Sequence, residues 1–262
     1  MPDLENIPIN TSFLRTKRTT IHFYDNKKKG KTLVLIHGWN RDLYDFRPII
    51  QRLNESYRII AFDLPGFGQS SFPPSDWDSI EFTREVEDFL YHFKLTDKIH
   101  LIGHSFGGKI SLLLAFRKKI DIDKLILIGS PGIRNSRSAS YYIKVYYFKF
   151  LKMIYKALFH KDSNAMKKLY EKFGSQDYRD AGNLRNILVK VVNENLKSIL
   201  KNIDNPCLLI WGEYDSEVSY NQMKGMEKRL IDAGLIVFEN CTHFAHLENM
   251  QRFFIILKEF LN

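Results

Sequence analysis

The sequence predicts an α/β fold with a mainly parallel sheet flanked by helices. Short apolar runs recur along the chain, each ends in a turn signal, and segments of helical spacing lie between them. The runs are continuous rather than alternating, as expected of strands covered on both faces.

Thr19 to Tyr24 reads as an edge strand ahead of the repeating unit. Leu33 to Ile36 then runs into His37-Gly38, and Arg58 to Phe62 into Asp63-Leu64-Pro65-Gly66. Asp78 to Lys94 has helical spacing, with Ile80, Phe82, Val86, Phe89, Leu90 and Phe93 largely on one side. Ile99 to Ile102 is a strand, and Phe106 to Lys119 the helix after it. Leu125 to Ile128 precedes Gly129-Ser130-Pro131-Gly132. Leu208 to Trp211 precedes Gly212, Leu235 to Phe238 precedes Glu239-Asn240, and Phe253 to Leu261 closes the chain as a helix.

Between Pro131 and Pro206 the strand signal stops. The stretch is basic, aromatic and helical in period, and the alternation resumes after it. The expected organisation is a core of residues 1–130 and 206–262 with an inserted helical cap over 131–205. Within the cap a helix is expected from Ser138 to Phe159. Its Ile143, Tyr146, Tyr147, Phe150, Leu151, Ile154 and Leu158 should face the core or pocket, and its Lys149, Lys152 and Lys156 should fall together on another side.

A chain of 262 residues, 44% hydrophobic, is long enough for one domain with a substantial core. The net charge is +9. From Arg134 to Lys172 ten basic residues stand against two acidic ones, so most of the surplus is local. That distribution does not indicate a nucleic-acid-binding body. The leading reading of the basic helix is a solvated outer face, and contact with a membrane surface is the lesser one. No apolar run is long enough to span a bilayer, and Met1 to Asn6 lacks an apolar signal core. Cys207 and Cys241 have no metal-ligand spacing and are expected at opposite ends of the sheet as free thiols. A reducing, cytoplasmic setting is the expectation. Oligomeric state is not legible.

The chemistry centres on Ser105, in Gly103-His104-Ser105-Phe106-Gly107-Gly108 between a strand and a helix. A glycine-flanked serine at such a turn stands clear of the sheet, with the free N–H groups of a helix start beside it. A serine hydroxyl needs a base, and the base needs a carboxylate to hold its tautomer. On this architecture both belong on loops after later strands, in the order serine, acid, histidine. Asp215 follows the Cys207–Gly212 run, and His243 follows the Leu235–Phe238 run. Glu213 and Glu217 compete with Asp215, and His246 competes with His243. The shorter acid after a glycine turn and the histidine on the loop are preferred. His37 and His104 read as packing or hydrogen-bonding residues, and Asp63 to Gly68 as a structural turn.

Six segments together resemble the α/β-hydrolase superfamily. They are His37-Gly38-Trp39, Phe62 to Ser70, Gly103 to Gly108, Gly129 to Gly132, Leu209 to Asp215, and Thr242 to Glu248. They fall in both halves of the chain and leave out the cap. The resemblance implies an α/β-hydrolase fold and a catalytic triad of Ser105, Asp215 and His243. It also implies an oxyanion hole from the backbone N–H groups of Trp39 and Phe106. The activity implied is cleavage of a carboxylic ester or related acyl compound through an acyl-enzyme on Ser105, on a small-molecule substrate with an apolar acyl group. No metal or organic cofactor is implied. Alternative readings are carbon–carbon bond hydrolysis or a lyase step on the same triad, and a non-catalytic binder of a small ligand. Ser105 is not the aspartate of haloalkane dehalogenases and epoxide hydrolases. His104 and Phe244 stand where carbon–carbon hydrolases of ring-cleavage products often carry Asn and Trp. Cys241-Thr242 stands where relatives often have a glycine before the histidine.

Overall fold

The computed structural model describes residues 9–134, 139–158 and 176–262. Its strands are β1 (Thr11–Arg15), β2 (Thr20–Asp25), β3 (Thr32–Ile36), β4 (Arg58–Phe62), β5 (Ile99–His104), β6 (Ile122–Ile128), β7 (Cys207–Gly212) and β8 (Ala233–Phe238). They form one sheet in the order β1-β2-β4-β3-β5-β6-β7-β8. β1 pairs with β2, and β2 with β4, antiparallel; all other neighbours are parallel. The helices are α1 (Arg47–Leu53), α2 (Ser79–Tyr91), α3 (Phe106–Arg117), α4 (Ala139–Leu158), α5 (Gln176–Asp180), α6 (Arg185–Val191), α7 (Tyr220–Glu227), α8 (Ala245–Glu248) and α9 (Met250–Leu261).

Successive side chains of a strand point to opposite faces, and here both faces are dry. Val34, Ile36, Leu101, Leu125, Leu127 and Leu209 join one core with Val86 and Phe89 of α2 and Ile110 and Leu114 of α3. Leu33, Leu35, Ile102, Ile126, Ile128 and Ile210 join the other with Ile49 and Ile50 of α1 and Phe253 and Leu257 of α9. α3 is almost wholly buried. α2 is started by Asp78, whose carboxylate accepts from the Ile80 and Glu81 backbone.

The registers align the strand ends. Ile36 lies opposite Gly103, Gly103 opposite Leu127, Leu127 opposite Leu209, and Leu209 opposite Leu235. The loops that follow these strands therefore leave from one edge of the sheet. β3 and β5 are neighbours, but the chain goes from β3 to β4 on one side and from β5 to β6 on the other. Such a reversal opens a crevice at the carboxyl ends of the two strands.

Two expectations need correction. The strand expected at the edge, Thr19 to Tyr24, is covered by β1, with Thr11 opposite Tyr24 and Arg15 opposite Thr20. β1 itself (Thr-Ser-Phe-Leu-Arg) is half-exposed and has no apolar run to mark it. In α4, Ile143, Tyr146, Tyr147 and Phe150 are exposed rather than core-facing, while Leu151 and Ile154 are half-buried. The helix is apolar around much of its circumference, and Val145, Phe148 and Tyr155 supply half-buried positions on its other side. Ser138 and Phe159 lie outside the described residues, and Leu158 outside the described side chains.

Candidate active site

Ser105 links β5 to α3 with φ 50° and ψ −116°. A non-glycine residue at positive φ carries strain that its surroundings must hold. The Ser105 N–H donates to the Ile128 carbonyl at 2.8 Å, and its own carbonyl accepts from Gly108 and Lys109 to start α3. Close packing requires the flanking glycines. A Cβ on Gly103 would meet Gly108 Cα at 2.6 Å, and one on Gly107 would meet the Ile36 carbonyl oxygen at 2.0 Å.

Asp215 sits on the loop after β7. Its Oδ1 accepts from the Glu217 and Val218 N–H groups at 2.8 and 2.9 Å, and its Oδ2 lies 2.8 Å from His243 Nδ1. The carboxylate is buried. A carboxylate can only accept, so Nδ1 carries the proton and Nε2 keeps its lone pair. The competing residues are occupied or turned elsewhere. Glu213 accepts from the Asn240 N–H, and Glu217 is exposed. His246 lies in α8, buried against Phe46, Phe253 and His104. Burial brings His246 down to about 3, helped by the His243 and Arg41 charges. Among the described residues no hydrogen bond joins Ser105 Oγ to His243. In unliganded sites such bonds often tighten only with substrate.

The histidines expected to be structural have structural partners. His37 Nδ1 donates to the Gly38 carbonyl at 2.7 Å, and its Nε2 accepts from Leu64 N–H at 2.8 Å. His104 Nε2 donates to the His243 carbonyl at 3.0 Å, with the two rings 4.7 Å apart. Burial holds His104 well below its ordinary value, and the His246 and His243 charges add to this. The neutral ring thus braces the loop that carries His243. Asp63 is buried in the turn after β4 and accepts from Leu43 N–H, Gln69 N–H and His22 Nδ1.

Trp39 and Phe106 flank Ser105, their rings 5.6 Å apart edge to face. Among the described residues neither of their backbone N–H groups has a backbone partner. Gly38 brings the loop after β3 against the serine: a Cβ there would stand 3.1 Å from Ser105 Cβ. A cavity of about 310 Å³ opens beside Ser105, lined by Trp39, Phe106, Leu188, Val191 and Val218 among apolar residues. Lys109, Arg134, Asp177, Glu194, Glu217 and Gln222 also line it. The lining is mixed, apolar and charged. Burial raises the Asp177 carboxyl, against the opposing pull of the His243 charge. The polar lining drawn from α5 and from the segment after α6 was not foreseen, because those residues carry no motif.

The residues 31–186 match the family model described as alpha/beta hydrolase fold. The chain belongs to the α/β-hydrolase family. It is 28% identical to a pimeloyl-[acyl-carrier protein] methyl ester esterase of Legionella pneumophila over 247 residues, covering 90% of this chain and 98% of that one. It is also 28% identical to Lipase 1 of Psychrobacter immobilis over 243 residues, covering 84% and 73%. An esterase from Exiguobacterium antarcticum superposes with a TM-score of 0.73 at 23% identity, covering 95% of this chain and 98% of that one. A meta-cleavage product hydrolase from Pseudomonas fluorescens IP01 gives 0.72 at 20% identity, covering 96% and 97%. Among the described residues no helix is long and apolar enough to cross a membrane.

Proposed function

We propose that this chain is a serine hydrolase cleaving a small carboxylic ester. The observation that carries the reading is the Asp215–His243 hydrogen bond of 2.8 Å in the crevice that also holds the strained Ser105. Ser105 Oγ attacks the ester carbonyl while His243 Nε2 takes its proton. The Trp39 and Phe106 N–H groups receive the negative charge that develops on oxygen, each donor worth about 3 kcal/mol at the transition state. His243 then protonates the departing alcohol, and water clears the acyl-enzyme by the same route. Asp215 holds the imidazole in the required tautomer and stabilises its charged form. The reaction as written uses no metal or organic cofactor.

Residues 131–205 act in this reading as a cap. Asp177, Leu188, Val191, Val192 and Glu194 from that segment line the cavity that reaches Ser105, which supports it. A cavity of about 310 Å³ is at the small end for ligand pockets, which favours a short acyl group. Trp39, Phe106, Leu188 and Val191 offer the acyl chain an apolar wall. The esterase and lipase names of two relatives agree with ester chemistry.

The test is a fluorophosphonate probe with a series of p-nitrophenyl esters of increasing chain length. The expected result is labelling confined to Ser105, turnover strongest for short chains, and loss of both in Ser105→Ala. Labelling without turnover of any ester, together with cleavage of a ring-cleavage dienoate, would move the reading to carbon–carbon hydrolysis.

A further inference from the structure

α4 carries an exposed apolar stripe. Ile143 is 68% exposed, Tyr146 67%, Tyr147 54%, Phe150 54% and Met153 61%. Spacings of three and four residues put these side chains along one side of a helix. A contiguous exposed apolar patch on a folded protein marks an interaction surface. The stripe is flanked by cations. Lys144 lies about 100° round the helix from Ile143 on one side, and Lys149 about 60° beyond Tyr146 on the other. Both lysines are exposed, and Lys149 Nζ sits 5.7 Å from the Tyr146 ring centre. The sequence of α4 contains Lys144, Lys149, Lys152 and Lys156 and no acid.

We propose that this outer face of α4 docks onto an anionic lipid surface. Charge decides the occupant. An apolar centre with aromatic side chains and lysines on its flanks is the pattern of a helix that lies in a bilayer interface. The lysines add electrostatic attraction to anionic headgroups. Protein interfaces are depleted in lysine. A symmetric pairing of two copies would bring the same lysine-flanked stripe against itself, in a chain whose net charge is +9.

The inner side of the helix leads toward the cavity. The Phe148 ring is 6.0 Å from that of Tyr178 in α5, and the neighbouring Asp177 lines the cavity beside Ser105. Docking would therefore set against the lipid the helix that packs on the segment carrying Asp177. The docking does not depend on the reaction assigned above.

The experiment is co-sedimentation of the full chain with phosphatidylglycerol-rich vesicles and with pure phosphatidylcholine vesicles, at low and high salt. Binding to the anionic vesicles, weakened by salt, is expected. Lys144→Glu/Lys149→Glu should weaken it by about tenfold or more. Ile143→Ser/Phe150→Ser should weaken it comparably, whereas Ile255→Ser, at an exposed apolar position of α9, should not. Melting temperatures of all variants should stay close to that of the parent, since every site is exposed. Equal indifference to both vesicles overturns the proposal. So does anionic binding that survives Ile143→Ser/Phe150→Ser, which would be the attraction of any basic protein. A dimer seen by light scattering that Ile143→Ser/Phe150→Ser dissolves, without vesicle binding, also overturns it and makes the face a self-association surface.

Discussion

Gly129 lies flat against the His243 imidazole. A Cβ at this position would stand 2.9 Å from His243 Nδ1 and 3.2 Å from Asp215 Oδ2. The residue has φ +51° at the end of β6, and its N–H donates to the Ile210 carbonyl at 2.9 Å. The backbone there is both left-handed and pressed against the Asp215–His243 hydrogen bond. Gly129→Ala is therefore expected to do two things. The conformational cost is about 1–2 kcal/mol of stability. The methyl also wedges into the Asp–His contact, so ester turnover should fall about tenfold or more while the protein still melts cooperatively. Calorimetry beside kcat/KM separates the two. A variant that loses stability but keeps full turnover would mean that the pair tolerates the methyl.

Ser105→Ala, Asp215→Asn and His243→Ala are each expected to lower turnover by orders of magnitude, with little change in melting temperature. On the proposed mechanism the three act as a unit, so Ser105→Ala/His243→Ala should be scarcely worse than either single change. His246→Leu is the contrasting variant, because its ring is buried behind His104 rather than bonded to Asp215. Near-normal activity in His243→Ala with a dead His246→Leu would reverse the assignment of the base.

The central strands were legible because both of their faces are buried. Runs such as Leu33 to Ile36 have no polar residue to obscure them. β1 was illegible for the opposite reason: it is a half-exposed edge with two apolar residues. α1 was missed because seven residues are too few to display a helical period. Chain order makes Ser105, Asp215 and His243 candidates, since the loops after parallel strands leave from one edge of the sheet. Order could not reveal that His104 would brace the His243 carbonyl, a contact across 139 positions. The apolar period of α4 was visible, but a period says only that a face exists. What covers that face depends on the tertiary arrangement.

Burial of imidazoles predicts a pH dependence of stability. His246 is held down to about 3, and His104 well below its ordinary value. In the unfolded chain both titrate near ~6.5. Between those limits the unfolded chain binds protons that the folded one refuses, so folding stability falls as pH falls. The contribution is fully present above about pH 6.5 and is lost progressively below it. Each such group adds a slope of up to about 1.4 kcal/mol per pH unit. Urea midpoints measured from pH 7 to pH 5 should decline, and His246→Leu should flatten the decline. An unchanged slope in His246→Leu would show that this ring does not contribute to it.

Lys109 ties the segment after α6 to the core from within the cavity lining. Its Nζ donates to the Val191 carbonyl and lies 3.6 Å from Glu194 Oε2, while Glu194 Oε1 accepts from Ser79 N–H at the start of α2. Burial lowers the Lys109 ammonium, and Glu194 opposes that fall. Removing one member of such a buried pair leaves the other charge without its partner, a loss of about 3 kcal/mol or more. Replacing both costs less than the sum of the single changes. Lys109→Met should therefore destabilise strongly, Glu194→Gln moderately because this side chain is one-quarter exposed, and Lys109→Met/Glu194→Gln should recover part of the loss. A double-mutant cycle by urea denaturation measures the coupling, expected at about 1 kcal/mol or more. Both side chains line the cavity beside Ser105, so the single variants should also raise KM for short esters more than they lower kcat. Strictly additive stabilities would mean that the two charges do not sense each other, and that the Val191 carbonyl alone accounts for the position of Lys109.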